Sequence, residues 1–335
     1  MGLFRKIITA RLPRANRFVL SARENIVLLV EASARMKPDA ILTLPAQPTP
    51  YAVVGSPINH SLSPGMQQAA FDHESIEARY YRIEADDLAL EQAVTRMRQV
   101  PFGGWNCTIP NKVRMYQLCD HRAETAEQFR VVNTVVNEKG VLVGHNTDGV
   151  GWTRALKDAF GKSPSELRIL LLGTGGAGRA LATQAILDKC PELIIANRDP
   201  GRAQEVLDHL NGQFASGPLA RTPKNLRSVR WFEKELAAAL HEVDLVLNAT
   251  SAGLDPKALP VLPARIIPAG VMVFDTVYGA ASDKFRAEVE TAGAKWSDGL
   301  GMLLHQGAEA FSLWTGRDAP LEVMRQSLAG AISRP

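Results

Sequence analysis

The chain has 335 residues, 46% of them hydrophobic and 22% charged, an ordinary globular composition that excludes a disordered chain or a collagen-like repeat. With Lys+Arg 38 against Asp+Glu 35, a formal charge of +3 is too small to argue for a nucleic-acid partner. No uninterrupted apolar run approaches the ~18 residues of a membrane span, and at about 100–200 residues per domain the length fits two domains.

The charge is unevenly placed. Residues 1–40 carry eight basic side chains (Arg5, Lys6, Arg11, Arg14, Arg17, Arg23, Arg35, Lys37) against three acidic ones (Glu24, Glu31, Asp39), a local +5, so residues 41–335 sum to −2. The start, Met-Gly-Leu-Phe-Arg-Lys-Ile-Ile, has no long apolar stretch followed by a small-residue cleavage site, so no secretory signal is expected. An Arg-rich amphipathic start fits either a transit peptide or a mis-assigned start codon. Residues 1–50 are expected to form a basic extension, disordered in part, ending in the Pro-rich hinge Pro45-Ala-Gln-Pro-Thr-Pro50.

Packed structure is expected from residue 51. Strands are predicted at 51–54, 80–83, 104–107, 132–136 and 141–144, with helices at 87–99, 112–119 and 150–160, and Asn137-Glu-Lys-Gly140 reads as the turn of a β-hairpin. The second half is more regular: strand 168–172, helix 179–189, strand 193–196, helix 203–210, a weak strand 229–232, helix 233–241, and strands 243–247 and 271–275. Strands apolar throughout are buried on both faces, which makes this half a doubly wound parallel α/β unit. A helical pattern at 301–315 follows it and is expected to return to the first domain. Cys107, Cys119 and Cys190 are an odd count without CxxC spacing, which favours a reducing, cytoplasmic setting over a disulfide frame or zinc site. No metal ligand set is expected among the seven histidines.

Gly173-Thr-Gly175-Gly176-Ala177-Gly178 satisfies G-x-G-x-x-G directly after a predicted strand and at the opening of a helix. There the glycines permit a tight turn and let backbone N–H groups approach a pyrophosphate at the positive end of the helix dipole. At the end of the next strand, where an NAD-binding unit places an acidic residue, the chain has Asn197 and Arg198, with Arg202 one turn on. A guanidinium there pairs with a 2′-phosphate, favouring NADP over NAD. Asp199 argues the other way unless it caps the coming helix.

Three further strings lie at strand ends, where open α/β sheets collect ligands: Gly55-Ser-Pro-Ile-Asn-His-Ser61-Leu-Ser63-Pro64, Asn106-Cys-Thr108-Ile-Pro110-Asn-Lys112 and Gly144-His-Asn146-Thr147-Asp148-Gly149-Val-Gly151. Two serines two apart on an extended segment present both hydroxyls to one side, a grip for a carboxylate.

With Val132-Asn133-Thr134, the glycine loop, Asn248-Ala-Thr-Ser-Ala-Gly253 and Asp298-Gly-Leu-Gly-Met-Leu-Leu-His-Gln306, these strings resemble the shikimate dehydrogenase family, which reduces 3-dehydroshikimate to shikimate with NADPH. The resemblance runs from about residue 51 to the end. It implies a substrate-binding domain at 51–148 and 299–335, a Rossmann NADP domain at 149–298, and a step in aromatic amino acid and chorismate biosynthesis. Lys112 and Asp148 become the catalytic pair, because hydride delivery to a ketone builds negative charge on oxygen that a positioned proton donor must quench. Ser61 and Ser63 correspond to the carboxylate-binding hydroxyls. Thr108, Asn133 and Gln306 correspond to the ring-hydroxyl partners, and Tyr278 to the tyrosine near nicotinamide and substrate. Gly299 and Met302 match positions packing the nicotinamide ring, and Thr250 and Ser251 lie in the loop along the cofactor's ribose and phosphate.

The chain departs from the family pattern in having Gln67-Gln68 after Met66, Val113 where an acidic residue is usual, and Gly279-Ala-Ala after Tyr278 in place of a proline. Quinate or quinate/shikimate dehydrogenases using NAD(P), aminoshikimate dehydrogenases and a non-catalytic ligand sensor stand as alternatives. The expected partner is a small-molecule substrate, and the expected state a monomer or homodimer.

Overall fold

The computed structural model describes residues 35–214, 225–252 and 259–332, which build two sheets joined by shared helices. Strands β1 (Arg35–Met36), β2 (Thr49–Gly55), β3 (Ala78–Glu84), β4 (Gly104–Cys107), β5 (His121–Arg122), β6 (Thr134–Glu138) and β7 (Val141–His145) form the first sheet, in the order β1-β3-β2-β4-β6-β7-β5. It is mixed: β1 to β4 pair in parallel, while β6 runs antiparallel to both β4 and β7. The expected hairpin is present, with Lys139 (φ 55°) and Gly140 (φ 98°) both left-handed, the backbone that a tight hairpin turn needs.

On one face of this sheet lie α2 (Asp87–Gln99) and α3 (Lys112–Leu118), and Leu90, Met97 and Met115 meet Val54, Ile83 and Trp105 there. Asp86 caps α2, accepting from the N–H groups of Leu88 (3.1 Å) and Ala89 (3.0 Å). The other face carries α1 (Ser63–His73), with Met66 and Phe71 packed on Tyr51, Val53 and Tyr80. A short α4 (Glu124–Phe129) sits at the far edge.

The second sheet contains β8 (Arg168–Leu172), β9 (Glu192–Asn197), β10 (Asn225–Arg230), β11 (Leu245–Asn248), β12 (Met272–Asp275) and β13 (Lys295–Ser297), all pairings parallel. Their order, β10-β9-β8-β11-β12-β13, is the doubly wound arrangement 3-2-1-4-5-6. The strands read apolar throughout because both faces are buried. Ile169 and Leu171 of β8 face α5 (Asp148–Phe160), α6 (Gly176–Leu187) and α7 (Pro200–Phe214), while Leu170 and Leu172 face α8 (Glu233–Leu240) and α9 (Asp283–Thr291). The order reverses between β8 and β11, so a crevice opens at their C-terminal ends, beside Gly173 and Asn248.

Two helices tie the sheets together. α5 starts at Asp148 on the first sheet and buries Trp152 and Leu156 under the second. α10 (Leu300–Thr315) returns along it to the first sheet as expected, touching α1 and β6, and Trp314 Nε1 donates to the Val135 carbonyl at 2.9 Å. The final helix, α11 (Leu321–Ile332), packs on α1.

Two expectations are corrected. Packed structure begins before residue 51: β1 pairs with Arg82 and Ile83, and a 3-10 turn at Pro38–Thr43 drives the fully buried Ile41 in among Leu90, Ala93 and Met97. Arg35 bridges Glu84 at 2.6 Å and Arg96 bridges Asp39 at 2.5 Å. Two buried residues, Pro38 and Ile41, in a Pro-rich stretch leave no periodic pattern, and the rest of the expected extension, residues 1–34, lies outside the described residues. The serine pair is also not on an extended segment, since Ser63 is the first residue of α1, with Pro64 in the first turn, where its missing N–H costs nothing. Removing the Ile41 anchor has a predictable cost: Ile41→Ala lowers stability by about 2–4 kcal/mol. Urea unfolding measures it, and an unchanged midpoint would show that this segment is not part of the core.

Candidate active site

Lys112 opens α3 just beyond β4, and Asp148 opens α5 just beyond β7, so two strand ends bring the two side chains together. Lys112 Nζ lies 2.6 Å from Asp148 Oδ2, with side-chain exposures of 12% and 5%. The second oxygen, Oδ1, accepts from Asn133 Nδ2 at 2.8 Å, and the first turn of α5 adds the positive end of its dipole. A carboxylate this buried is tolerated only when each oxygen has a donor.

Behind the pair runs a buried polar chain. Tyr80 Oη donates to Asn106 Oδ1 (2.7 Å), and Asn106 Nδ2 donates to Thr134 Oγ1 (3.0 Å). Thr134 Oγ1 donates in turn to Asn133 Oδ1 (3.0 Å), which also accepts from the Thr147 N–H (2.8 Å). Every link is less than a tenth exposed. The Asn133 amide is therefore fixed in the orientation that directs its N–H at Asp148. Gln306, from α10, is buried beside it, its Nε2 on the Leu303 carbonyl (2.9 Å) and its Oε1 3.5 Å from Asn133 Nδ2. Gly151 makes this possible: a side chain there would press on Gln306 Cβ at 2.7 Å, so the glycine serves the close crossing of α5 and α10.

The remaining predicted substrate residues lie on three further segments. Ser61 lies in the loop before α1, its N–H on the Ile58 carbonyl (3.1 Å), and its Oγ accepts from the Ser63 N–H at 3.4 Å. Thr108, half-buried beyond β4, donates its N–H to the Val54 carbonyl at 2.9 Å. Tyr278 reaches over from beyond β12, and the Leu62 backbone hydrogen-bonds its hydroxyl.

On the second sheet, the predicted dinucleotide loop has the shape that close backbone approach requires. Gly173 (φ 94°) sits against Ala249 and Thr250, a side chain on Gly178 would collide with the Gly173 carbonyl, and Gly175 faces open space at the N-terminus of α6. A side chain on Gly176 would meet Lys112 Cβ at 3.2 Å, so the loop adjoins the Lys–Asp pair. Ala177 lies in the first turn of α6, and Asn197 Nδ2 donates to Thr174 Oγ1 beside it. Arg198 is exposed at the crevice rim. Asp199 caps α7, accepting from the Gly201 N–H at 2.9 Å, and pairs with Arg202 at 3.7 Å, so its carboxylate serves the helix end. Thr250 is tied to Asn248 Oδ1 through both its N–H (3.1 Å) and hydroxyl (2.8 Å), with Ser251 exposed next to it. Gly299 approaches the Thr276 backbone too closely for any side chain. Met302 is 7% exposed and packs in the core with Trp152 and Ala155, which is the plainer of the two roles open to it. Among the described residues no group of three His, Cys, Asp or Glu could hold a metal ion.

Sequence reasoning quoted Asn106 and Thr147 without assigning them, and missed Tyr80 and Arg82 altogether. The signal for the last two was alternation: polar Tyr80, Arg82 and Glu84 at period two near a strand's C-terminal end.

A doubly wound sheet with a glycine turn at its switch point, facing a lysine–carboxylate pair on a second domain, defines a dinucleotide-linked dehydrogenase of two domains. Comparison with known proteins specifies it further. The model of the shikimate dehydrogenase substrate binding domain matches residues 53–135, and that of the shikimate 5′-dehydrogenase C-terminal domain residues 299–329. A shikimate dehydrogenase (NADP(+)) from Moorella thermoacetica is 37% identical over 283 residues, 84% of this chain and 92% of that one. The structure of a shikimate 5-dehydrogenase from Thermus thermophilus in complex with NADP(H) and shikimate is 33% identical with a TM-score of 0.72, covering 84% of this chain and 99% of that chain. A quinate dehydrogenase from Corynebacterium glutamicum in complex with NAD is 25% identical with a TM-score of 0.73, covering 84% and 99%. The chain belongs to the shikimate dehydrogenase family.

One group at the crevice sets a pH dependence. Asp275, 1% exposed at the end of β12, accepts from Asn248 Nδ2 (2.8 Å) and the Val277 N–H (3.0 Å). Burial, with a smaller push from Asp298, raises its carboxyl from 3.8 to about 7. The folded state then holds a proton that the unfolded chain releases, so stability falls as pH rises through the window from about 4 to about 7. Asp275→Asn keeps the acceptor and removes the titration. Thermal melts should show the variant more stable than the wild type at pH 8, with the gap closing by pH 4; a pH-independent difference would contradict this.

Proposed function

We propose that this protein is a shikimate dehydrogenase that interconverts 3-dehydroshikimate and shikimate with NADPH, in the cytoplasm, as a monomer or homodimer. The observation that carries the reading is the juxtaposition of the Lys112–Asp148 pair with the N-terminal turn of α6, which puts a proton donor next to a dinucleotide-binding loop. The names of the relatives, the bound ligands of the Thermus structure and three buried free thiols support it.

The residues present fit NADP. Gly175 leaves open space at the N-terminus of α6, where backbone N–H groups would hold a pyrophosphate, the close packing of Gly173 and Gly178 shapes that turn, and the exposed Arg198 and Arg202 would hold a 2′-phosphate. When bound, NADPH supplies the hydride. Ser61 and Ser63 hold the substrate carboxylate through neutral hydroxyls, and Thr108, Asn133 and Gln306 take its ring hydroxyls. Lys112, held by Asp148, delivers a proton to the carbonyl oxygen as that oxygen gains negative charge, leaving the alcohol; the reverse reaction returns the proton to the pair. Tyr278, arriving from the other domain, closes the pocket over the Ser61–Ser63 turn. The substrate thus binds the unit built on residues 35–148 and 299–332, and the cofactor the unit at 149–298.

Rates with shikimate or quinate against NADP or NAD test the reading directly. The shikimate and NADP combination is expected to be fastest; faster turnover with quinate and NAD would make this a quinate dehydrogenase, and binding without turnover a sensor. Lys112→Ala should lower kcat by about 10²–10⁴-fold with NADP binding retained. Arg198→Ala should weaken NADP by about tenfold while NAD is little changed; equal losses would place the 2′-phosphate elsewhere.

A further inference from the structure

Gln67 and Gln68, which stand where the chain departs from its family's pattern, each tie α1 to a neighbour. Gln68 is matched at both ends of its amide: Nε2 donates to the Ala78 carbonyl (3.1 Å) and Oε1 accepts from the Tyr80 N–H (3.1 Å), which holds α1 to the start of β3. Gln67, fully buried, donates Nε2 to the Gly307 carbonyl of α10 at 2.8 Å, while its Oε1 is buried with no partner among the described residues. Gly307 lies inside α10, where its carbonyl already accepts the helical bond from four residues on, so the amide is a second donor to it. A side chain at residue 307 would press on Met66 and would meet Gln67 Nε2 at 3.2 Å, so the glycine lets the two helices approach. One turn further along both helices Phe71 meets Phe311, ring centroids 5.4 Å apart. One turn back, the same register leads to Ser63 on α1 and to Leu303 on α10, whose carbonyl accepts from Gln306 Nε2 at 2.9 Å.

Packing alone does not call for an amide here. A buried carbonyl oxygen without a donor destabilises, and a thioether of similar length would fill the space without it. What the amide adds is a directed N–H, which fixes α1 against α10 in one register, whereas apolar contacts carry no direction. The pocket depends on that register: Ser63 is the first residue of α1, Gln306 immediately precedes Gly307, and the two are proposed to hold the carboxylate and a ring hydroxyl of one small substrate. Resting on the function proposed above, we infer that Gln67 is a positioning residue for that reaction: its bond to Gly307 sets the separation of Ser63 and Gln306, and with it the fit of the substrate.

The test measures initial rates over a range of shikimate concentrations at saturating NADP, together with thermal midpoints, for the full chain and for Gln67→Met, Gln67→His and Ile41→Ala. Gln67→Met should raise KM for shikimate about tenfold with kcat and KM for NADP little changed. Its midpoint should hold or rise, because the unpartnered oxygen is gone. Gln67→His, whose ring N–H restores a donor, should recover most of the lost affinity. Ile41→Ala should lower the midpoint with KM for shikimate unchanged, which separates lost stability from lost positioning. A folded Gln67→Met with the wild-type KM for shikimate, or a loss confined to kcat, would overturn the inference. Should Gln67→Met fail to fold, Gly307→Ala puts the same question from the other helix, its methyl pressing on the amide: a raised KM for shikimate is expected, and an unchanged one overturns the inference. A wild type inactive on shikimate would sink the underlying function and this inference with it, whereas an active wild type matched in KM by Gln67→Met would sink this inference alone.

Discussion

A lysine and an aspartate held at 2.6 Å in a nearly dry site are costly to assemble, and much of the first sheet is arranged to offset that cost. Removing either partner would leave a buried charge alone, so both must be placed by rigid elements. Each is the first residue of a helix that begins at a strand end. The polar chain from Tyr80 through Asn106, Thr134 and Asn133 then leaves the carboxylate one orientation. It also explains why so many short polar side chains are buried in the first sheet, while the second sheet, which needs only to present backbone, is apolar almost throughout.

The two halves meet without a broad flexible linker. α5 and α10 cross so closely at Gly151 and Gln306 that any side chain at residue 151 would displace the glutamine. Gly149 has a similar duty toward Phe129 and Gln184. These glycines stand in helical turns and serve packing, so the junction at residues 148–151 is a close helix crossing.

Much of this was legible beforehand, and the reasons are physical. The β8–α6 glycine loop and the parallel sheet announce themselves because strands buried on both faces are continuous apolar runs and close backbone approach demands glycine. The pair at Lys112 and Asp148 was reachable through family likeness, since a lone lysine and a helix-opening aspartate have no signature of their own. The Ser63 helix was hidden because Ser-Leu-Ser-Pro reads as a turn, and residues 35–44 were hidden because the few apolar residues that anchor them, Met36, Pro38, Ile41 and Leu44, follow no strand or helix period. Tyr80 was hidden for a subtler reason: a tyrosine in an apolar strand reads as a core aromatic, and only the fold brings its hydroxyl to Asn106.

The strand Arg35–Met36 is only two residues long, yet it lies along the outer side of β3, where the first sheet would otherwise end in unpaired N–H and C=O groups. An open parallel edge is a template for adding another chain. The matched relatives cover 84% of this chain, and the substrate-domain model begins at residue 53, so a boundary drawn from likeness alone would cut this strand away. What such a cut would remove is the backbone that pairs Arg82 and Ile83 at this edge, together with the Arg35 bridge to Glu84.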